Sequence, residues 1–268
     1  MLALVPDDPR PVQPGPPALS VVIPAHDEAG NLGALVEDVV AALAHLLPFE
    51  IVCVDDASQD GTDEVLRALA ARVPQLRILR HARRGGQSLA IRNGVLAARA
   101  QWIATLDGDG QNDPADIPRL LRTRDEADPG TRLIGGWRLD RRDRWSRRLA
   151  SRIANAVRSR LLRDATPDTG CGIKLFERAA FLDLPYFDHM HRYLPALMQR
   201  AGWSTRSVPV AHRARGSGRS HYTNLGRLRV GLVDLLGVAW LIRRSRVLHV
   251  AETTPPRMVG GATREPVT

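Results

Sequence analysis

From Leu19 to about Leu133 short apolar runs alternate with stretches of helical periodicity, and this alternation limits the fold more than any other feature of the chain. Leu19-Ser20-Val21-Val22-Ile23 reads as a buried strand stopped by Pro24. Asn31 is placed to cap a helix running to about Leu46, with Leu32, Leu35, Val36, Val39, Val40 and Leu43 on one face. A second strand is expected over 50–54. Thr62 then caps a helix to about Arg72, with Glu64 in its first turn. A third strand follows over 76–79, then a Gly-bearing turn and a helix through Leu89, Ile91, Val95 and Leu96. The fourth strand is 102–106, and Pro114 and Pro118 suit the first turn of a helix that reaches Leu121. Such a series predicts an α/β fold: a mainly parallel sheet with helices on both faces.

Sheets of this kind bind ligands outside the carboxyl ends of their strands. Acidic residues collect at three of those ends: Asp27-Glu28 after the first strand, Asp55-Asp56 after the second, and Asp107-Gly108-Asp109 after the fourth. Three separate acidic groups at one edge specify a site that needs cations or hydroxyl groups. Asp107 and Asp109, two residues apart, can point the same way. They are candidate oxygen ligands for Mg²⁺ or Mn²⁺. A cation there would neutralise a pyrophosphate leaving as an anion.

Of 268 residues, 44% are hydrophobic and only 4% aromatic, so the core must be mostly aliphatic. Cys53 and Cys171, the only cysteines, make neither a disulfide framework nor a zinc site. The formal charge is +9 and Lys174 is the only lysine. An arginine-rich coding bias and an anionic partner, such as phosphate groups or an acidic membrane surface, both account for this balance. The arginines cluster, with seven between Arg138 and Arg152 and more between Arg206 and Arg246. The stretch 144–162 sets Trp145, Leu149, Ile153, Val157, Leu161 and Leu162 at helical spacing against those arginines. It reads either as a surface helix packed on the sheet or as an interfacial helix on anionic lipid. A second basic amphipathic stretch, 225–248, carries Leu228, Leu232, Leu235, Leu236, Trp240 and Leu241 with Arg227, Arg229, Arg243, Arg244 and Arg246. No apolar run approaches the ~20 residues of a membrane span; 230–242 is too short and holds Asp234. Residues 1–18 read as a disordered Pro-rich leader without a signal peptide, and 251–268 as a disordered tail.

Other classes fit less well. A receiver-like signalling domain accounts for Asp27-Glu28 and Asp55, but not for Asp107-Gly108-Asp109 or the basic C-terminal third. A nucleotide-binding dehydrogenase lacks its Gly-rich turn after the first strand. A sugar nucleotidyltransferase lacks its basic Gly-rich loop. A nucleic-acid binder explains the charge but not the acidic strand ends, and few aromatics are present to stack on bases.

Three segments in order, Ser20-Val-Val-Ile-Pro-Ala-His-Asp-Glu28, Val54-Asp-Asp-Ala-Ser-Gln-Asp-Gly-Thr62 and Leu106-Asp-Gly-Asp-Gly-Gln-Asn-Asp-Pro114, resemble glycosyltransferase family 2. With Asp168-Thr-Gly-Cys-Gly-Ile-Lys-Leu-Phe176, His191-Arg-Tyr-Leu-Pro195 and Val208-Pro-Val-Ala-His-Arg213, the resemblance is to its polyprenol-phosphate sugar transferases, typified by dolichol-phosphate mannosyltransferase. It covers about 19–246. The resemblance implies a GT-A domain over 19–224, a membrane-associated helical segment over 225–250, a UDP- or GDP-sugar donor and inversion at the anomeric carbon. By position, Pro24, Ala25, Asp27 and Glu28 would line the nucleoside pocket, with Asp55 and Asp56 at the base or ribose. Asp107, Asp109 and Gln111 would hold Mg²⁺ or Mn²⁺. His26 stands where many relatives have Asn. The implied acceptor is a polyprenyl phosphate, with Arg138, Arg147 and Ser151 as candidates to hold its phosphate; Arg148 and Arg152 are alternatives to Arg147. Lys174 and Arg192 match donor-side motifs, and Asp168 either faces the sugar or caps a turn. A growing polysaccharide or other glycan is the alternative acceptor. The implied setting is peripheral, on the cytoplasmic face of the membrane, with a separate membrane-embedded protein to move the product.

Overall fold

The computed structural model describes residues 15–138, 158–164, 166–213 and 224–244. The alternation read from the chain becomes β1 (Leu19–Ala25), α1 (Ala29–Leu43), β2 (Phe49–Asp55), α2 (Thr62–Ala70), β3 (Leu76–Arg80), α3 (Gln87–Ala97) and β4 (Trp102–Thr105). A short 3₁₀ turn, Pro114–Asp116, leads into α4 (Ile117–Asp125) and β5 (Thr131–Arg138). After it come β6 (Lys174–Glu177), α5 (Arg178–Leu182), a second 3₁₀ turn (Met190–Arg192), α6 (Leu194–Arg200), β7 (Ser204–Val210) and α7 (Asn224–Arg244).

The strands form one sheet in the order β3-β2-β1-β4-β6-β5-β7. Pairing is parallel except at β6, which runs antiparallel to both β4 and β5. The expected mainly parallel sheet is present, and its near-continuous apolar strands have a simple cause. Successive side chains of a strand point to opposite faces, and both faces are covered. Val21, Ile23, Ile51 and Cys53 pack under α1, α2 and α4, while Val22, Val52 and Val54 pack under α3, α5, α6 and α7.

Two helix starts differ from expectation. Helix α1 begins at Ala29, ahead of Asn31, whose amide donates to Glu28 Oε2 at 2.5 Å. Its first free N–H groups are satisfied from the loop after β2: Glu28 N–H donates to Thr62 Oγ1 and Ala29 N–H to Asp60 Oδ2, both at 3.0 Å. Thr62 is the first residue of α2 rather than its cap, and Asp60 Oδ1 accepts the Thr62 N–H at 3.1 Å. Of the basic stretch 144–162, only its last turn, 158–162, is described. There Leu162 is buried, and Arg158 is buried in an ion pair with Asp164. Residues 1–14 of the leader, the tail 251–268 and most of that stretch lie outside the described residues.

Candidate functional site

The carboxyl ends of β1, β2 and β4 share one edge with the end of β5 and, because β6 is reversed, with its first residue, Lys174. The first two loops at this edge are tied together. Asp27 adopts a left-handed backbone with φ 56°. Its N–H donates to Ser58 Oγ at 3.0 Å and its Oδ1 accepts Gln59 N–H at 2.8 Å. His26 Nδ1 lies 2.8 Å from Asp56 O. Asp27 and Glu28 therefore shape this edge through contacts to the neighbouring loop.

The acidic pair after β2 turns mostly inward. Asp55 is fully buried; its Oδ1 accepts Ser58 N–H at 2.9 Å and its Oδ2 faces Arg80 Nε at 3.4 Å. Asp55 thus holds its own loop, and it is not among the residues that line the cavity inward from Asp107. Asp56, also buried, accepts Gly85 N–H and Gly86 N–H at 2.7 Å each and His81 Nδ1–H at 2.6 Å. Asn93 sits 2.9 Å from His81 Nε2 as its donor, which leaves the imidazole proton on Nδ1 for Asp56. Burial works against the charged carboxylate, yet these three donors outweigh it and hold Asp56 below the usual carboxylate range. Asp56 thus anchors the 81–86 turn at the edge.

Asp107-Gly108-Asp109 lies directly on the end of β1. A Cβ on Gly108 would stand 2.8 Å from Pro24 O and 3.4 Å from Ala25 Cα, so only glycine permits that approach. Asp107 N–H donates to Asn112 Oδ1 at 3.0 Å, and Gln111 N–H donates to Asp109 Oδ1 at 3.2 Å. The loop is braced from outside by the segment after β7. Arg213 N–H donates to Gln111 O at 3.0 Å, His212 pairs with Asn112 in a backbone bridge, and Arg213 forms ion pairs with Asp113 and Asp38.

Asp107 is held by Gln87 Nε2, which donates to Oδ1 at 2.8 Å. Its Oδ2 occupies the space a side chain at Gly172 would take; a Cβ there would collide with Asp107 Oδ2 and Asn112 Oδ1. Burial first, then the neighbouring charge of Asp109, push the Asp107 carboxyl above its ordinary range, while Lys174 and Arg138 pull it back. A buried carboxylate with a second one beside it suits a shared cation. Among the described residues no group of three His, Cys, Asp or Glu completes a coordination shell. A pair of carboxylates is nonetheless what Mg²⁺-type sites use when substrate phosphates and water supply the rest. The residues fit a divalent cation held together with a diphosphate.

Inward from Asp107 lies a cavity of about 140 Å³ lined by Gln87, Thr169, Gly172, Lys174, His191 and Arg192, among others. Of the expected site residues, Asp107, Lys174 and Arg192 therefore meet in one space. Burial lowers the Lys174 pKa, against the pull of Cys171, Asp107 and Asp168, and its ammonium donates to Cys171 O. Arg138 is engaged by a two-pronged pair with Asp168, Nε to Oδ2 at 2.7 Å and Nη2 to Oδ1 at 3.0 Å. It sits within electrostatic reach of Asp107. Asp168 also accepts Gly170 N–H, so it organises the turn before β6. Arg147, Ser151, Arg148 and Arg152 lie outside the described residues. Gln87, Ser88, Asn112 and Gly172 were not expected here. The one signal for Gln87 and Ser88 is their place at the start of a helix just after a Gly-Gly turn at the acidic edge.

The glycosyl transferase family 2 model matches residues 20–184, more than half of the chain. A dodecaprenyl-phosphate galacturonate synthase from Rhizobium johnstonii is 36% identical over 232 residues, covering 84% of this chain and 67% of that one. An undecaprenyl-phosphate 4-deoxy-4-formamido-L-arabinose transferase from Edwardsiella ictaluri is 34% identical, covering 76% and 62%. The chain thus spans about two thirds of the length of these curated relatives. Among solved structures, the glucosyl-3-phosphoglycerate synthase of Mycobacterium tuberculosis, in complex with Mn²⁺, uridine diphosphate and glucosyl-3-phosphoglycerate, superimposes with a TM-score of 0.62 at 17% identity, over 87% of this chain and 81% of that one. A mannosyltransferase from Pyrobaculum calidifontis, in complex with GDP-Man and Mn²⁺, gives 0.62 at 20% identity, over 90% and 69%. These two likenesses speak for the fold, and the family model and curated relatives for descent: the chain belongs to glycosyl transferase family 2 and is a glycosyltransferase with a GT-A sheet.

Proposed function

We propose that the enzyme moves a sugar from a UDP- or GDP-sugar to a polyprenyl phosphate, with inversion at the anomeric carbon, and that Asp107, Asp109 and Gln111 hold the Mg²⁺ or Mn²⁺ it uses. The observation that carries this reading is the meeting of Asp107 with Lys174 and Arg192 around one cavity at the carboxyl edge. The relatives named above, one a dodecaprenyl-phosphate and one an undecaprenyl-phosphate enzyme, support the acceptor class. The Mn²⁺ in the structural neighbours supports the cation. When bound, the cation would neutralise the departing diphosphate.

The chain's own residues supply the rest. Pro24 and Ala25 bring the β1 end against the Asp107 loop, and Asp27, Glu28 and Asp56 hold the surrounding turns in place. Lys174 and Arg192 offer positive charge to phosphate oxygens inside the cavity, where low dielectric strengthens such contacts. Arg138 keeps Asp168 and the turn before Lys174 in position, and Arg147 with Ser151 is assigned to the acceptor phosphate. A phosphate monoester loses its second proton near ~6, so it can attack without a general base. A glycan hydroxyl would need one. Asp107 is the single carboxylate among the described cavity-lining residues, and it is committed to the cation. This favours the phosphate acceptor over a polysaccharide.

A lipid acceptor places the enzyme at a membrane surface, with a separate membrane-embedded protein to move the product. No described helix is long and apolar enough to cross a membrane. Helix α7 instead exposes Leu232, Val233, Leu236 and Trp240, each more than half accessible, and ends in the exposed Arg243 and Arg244. That combination suits the boundary of an anionic bilayer on the cytoplasmic face.

The test is incubation with radiolabelled UDP- and GDP-sugars, short-chain polyprenyl phosphate and Mn²⁺, reading label in the organic phase. Wild type should transfer label and Asp109→Ala should lose at least a hundredfold. Transfer by the variant at the wild-type rate would remove the metal assignment.

A further inference from the structure

The second 3₁₀ turn carries His191 into the cavity, and its surroundings fix how the imidazole can bond. Ser88, at the start of α3, is almost fully buried. Its Oγ accepts the His191 backbone N–H at 3.4 Å and lies 2.7 Å from His191 Nδ1. A buried hydroxyl needs somewhere to donate. Among the described residues, Nδ1 is the acceptor within reach, so the Ser88 hydroxyl donates to it. A neutral imidazole whose Nδ1 accepts carries its proton on Nε2. Protonation of both nitrogens is opposed, first by burial and then by the positive charges of Lys174, Arg192 and His189, which hold His191 well below its ordinary pKa. Nε2–H has no protein acceptor among the described residues, and the ring lines the cavity beside Lys174 and Arg192.

We propose that His191 is a specificity-determining residue: held as the neutral Nε2–H tautomer by Ser88, it donates a hydrogen bond to a hydroxyl oxygen of the transferred sugar. This rests on the sugar-transfer reading above. The placement argues for the sugar. Asp107, the metal-side carboxylate, and Lys174, the cavity's ammonium, flank the same space, so a diphosphate at the edge points its sugar inward. The ammonium and guanidinium match phosphate oxygens, and the uncharged N–H matches a hydroxyl. About 140 Å³ is several times the ~30 Å³ share of one water, room for part of a sugar ring. A buried donor left unpaired is costly, so the site should reject sugars that lack the partner hydroxyl.

Two measurements test this. The first is the ¹⁵N spectrum of histidine-labelled protein without substrate. It should show His191 with Nε2 protonated and Nδ1 bare, unchanged between about pH 6 and pH 8, and Ser88→Ala should disturb that pattern. A proton on Nδ1, or an imidazolium in that range, overturns the proposal. The second uses whichever of UDP-glucose, UDP-galacturonate and GDP-mannose the wild type transfers best, with its monodeoxy analogues. One analogue should react roughly tenfold to a hundredfold more slowly than the parent. His191→Phe should slow the parent by a similar factor and no longer distinguish that analogue, and His191→Gln should restore part of the discrimination. Equal slowing of every analogue by His191→Phe, or a change confined to the KM for polyprenyl phosphate, overturns it. Failure of wild type to transfer any of the three sugars counts against the sugar-transfer reading itself, while the histidine spectrum still decides the tautomer.

Discussion

A single methyl group should disturb this site more than the loss of many surface charges. Gly172 stands where Asp107 and Asn112 meet, and a Cβ there has no room without moving the carboxylate. Gly172→Ala should lower transfer by roughly a hundredfold, because displacing a group by about 1 Å has that order of effect. Circular dichroism and thermal melting should show the fold retained, and retained turnover would mean that the Asp107 position is tolerant. Such residues explain which parts of the site could be read from the chain. Asp107, Asp109 and Lys174 stand in recognisable motifs at strand ends. Gln87 and Gly172 meet Asp107 from 20 and 65 residues away in sequence, and although one follows a Gly-Gly turn and the other stands in the motif before Phe176, neither position shows on its own that it touches this carboxylate. Asp55 shows the opposite difficulty. A carboxylate after a strand has the same sequence pattern whether it faces a ligand or its own backbone, and here Ser58 N–H takes it.

Among the elements, α7 shows best what periodicity hides. Its sequence suggests one apolar face and one basic face. In the structure Val238 and Ala239 are buried against the body, while Leu232, Val233, Leu236 and Trp240 lie outward. The helix is apolar on two sides, and hydropathy alone cannot say which side meets the body of the protein. Asp234, the acid that argued against a membrane span, faces inward to His189 Nδ1 at 3.0 Å. Tyr193 OH donates to Gly231 O at 3.2 Å and Arg200 Nε to Leu241 O at 3.3 Å, holding the helix to α6. Burying a large apolar side chain contributes about 1.5–3 kcal/mol. Leu236→Glu combined with Trp240→Glu should therefore weaken sedimentation with phosphatidylglycerol vesicles by at least tenfold, with an unchanged melting temperature. Unaltered vesicle binding would leave the stripe to another partner. Helices α1 and α2 were legible as helices, but not their first turns, because Thr62 and Asp60 close the start of α1 from a different loop.

Across the whole molecule, stability and chemistry sit at opposite edges of the sheet. At the amino ends, buried Glu50 accepts Ser20 Oγ–H at 2.6 Å, Arg99 N–H at 2.6 Å and Arg77 Nη1–H at 2.7 Å. Glu50→Ala would strand these donors and should lower stability by about 3 kcal/mol. Denaturant unfolding would measure that loss, and calorimetric affinity for UDP or GDP should stay as in wild type. The parallel part of the sheet was legible because each strand is followed by a helix that returns the chain. The reversed β6 was not, since Lys174–Glu177 is only four residues long and strand direction leaves no mark in so short an apolar run. Yet that reversal has a wide consequence. Strand β5 ends at Arg138 and β6 begins at Lys174, which pairs with Gly135 inside β5. Because β6 runs backwards, its first residue rather than its last stands at the rim, and the one lysine of the chain is thereby delivered among carboxylates that the parallel strands contribute from their far ends.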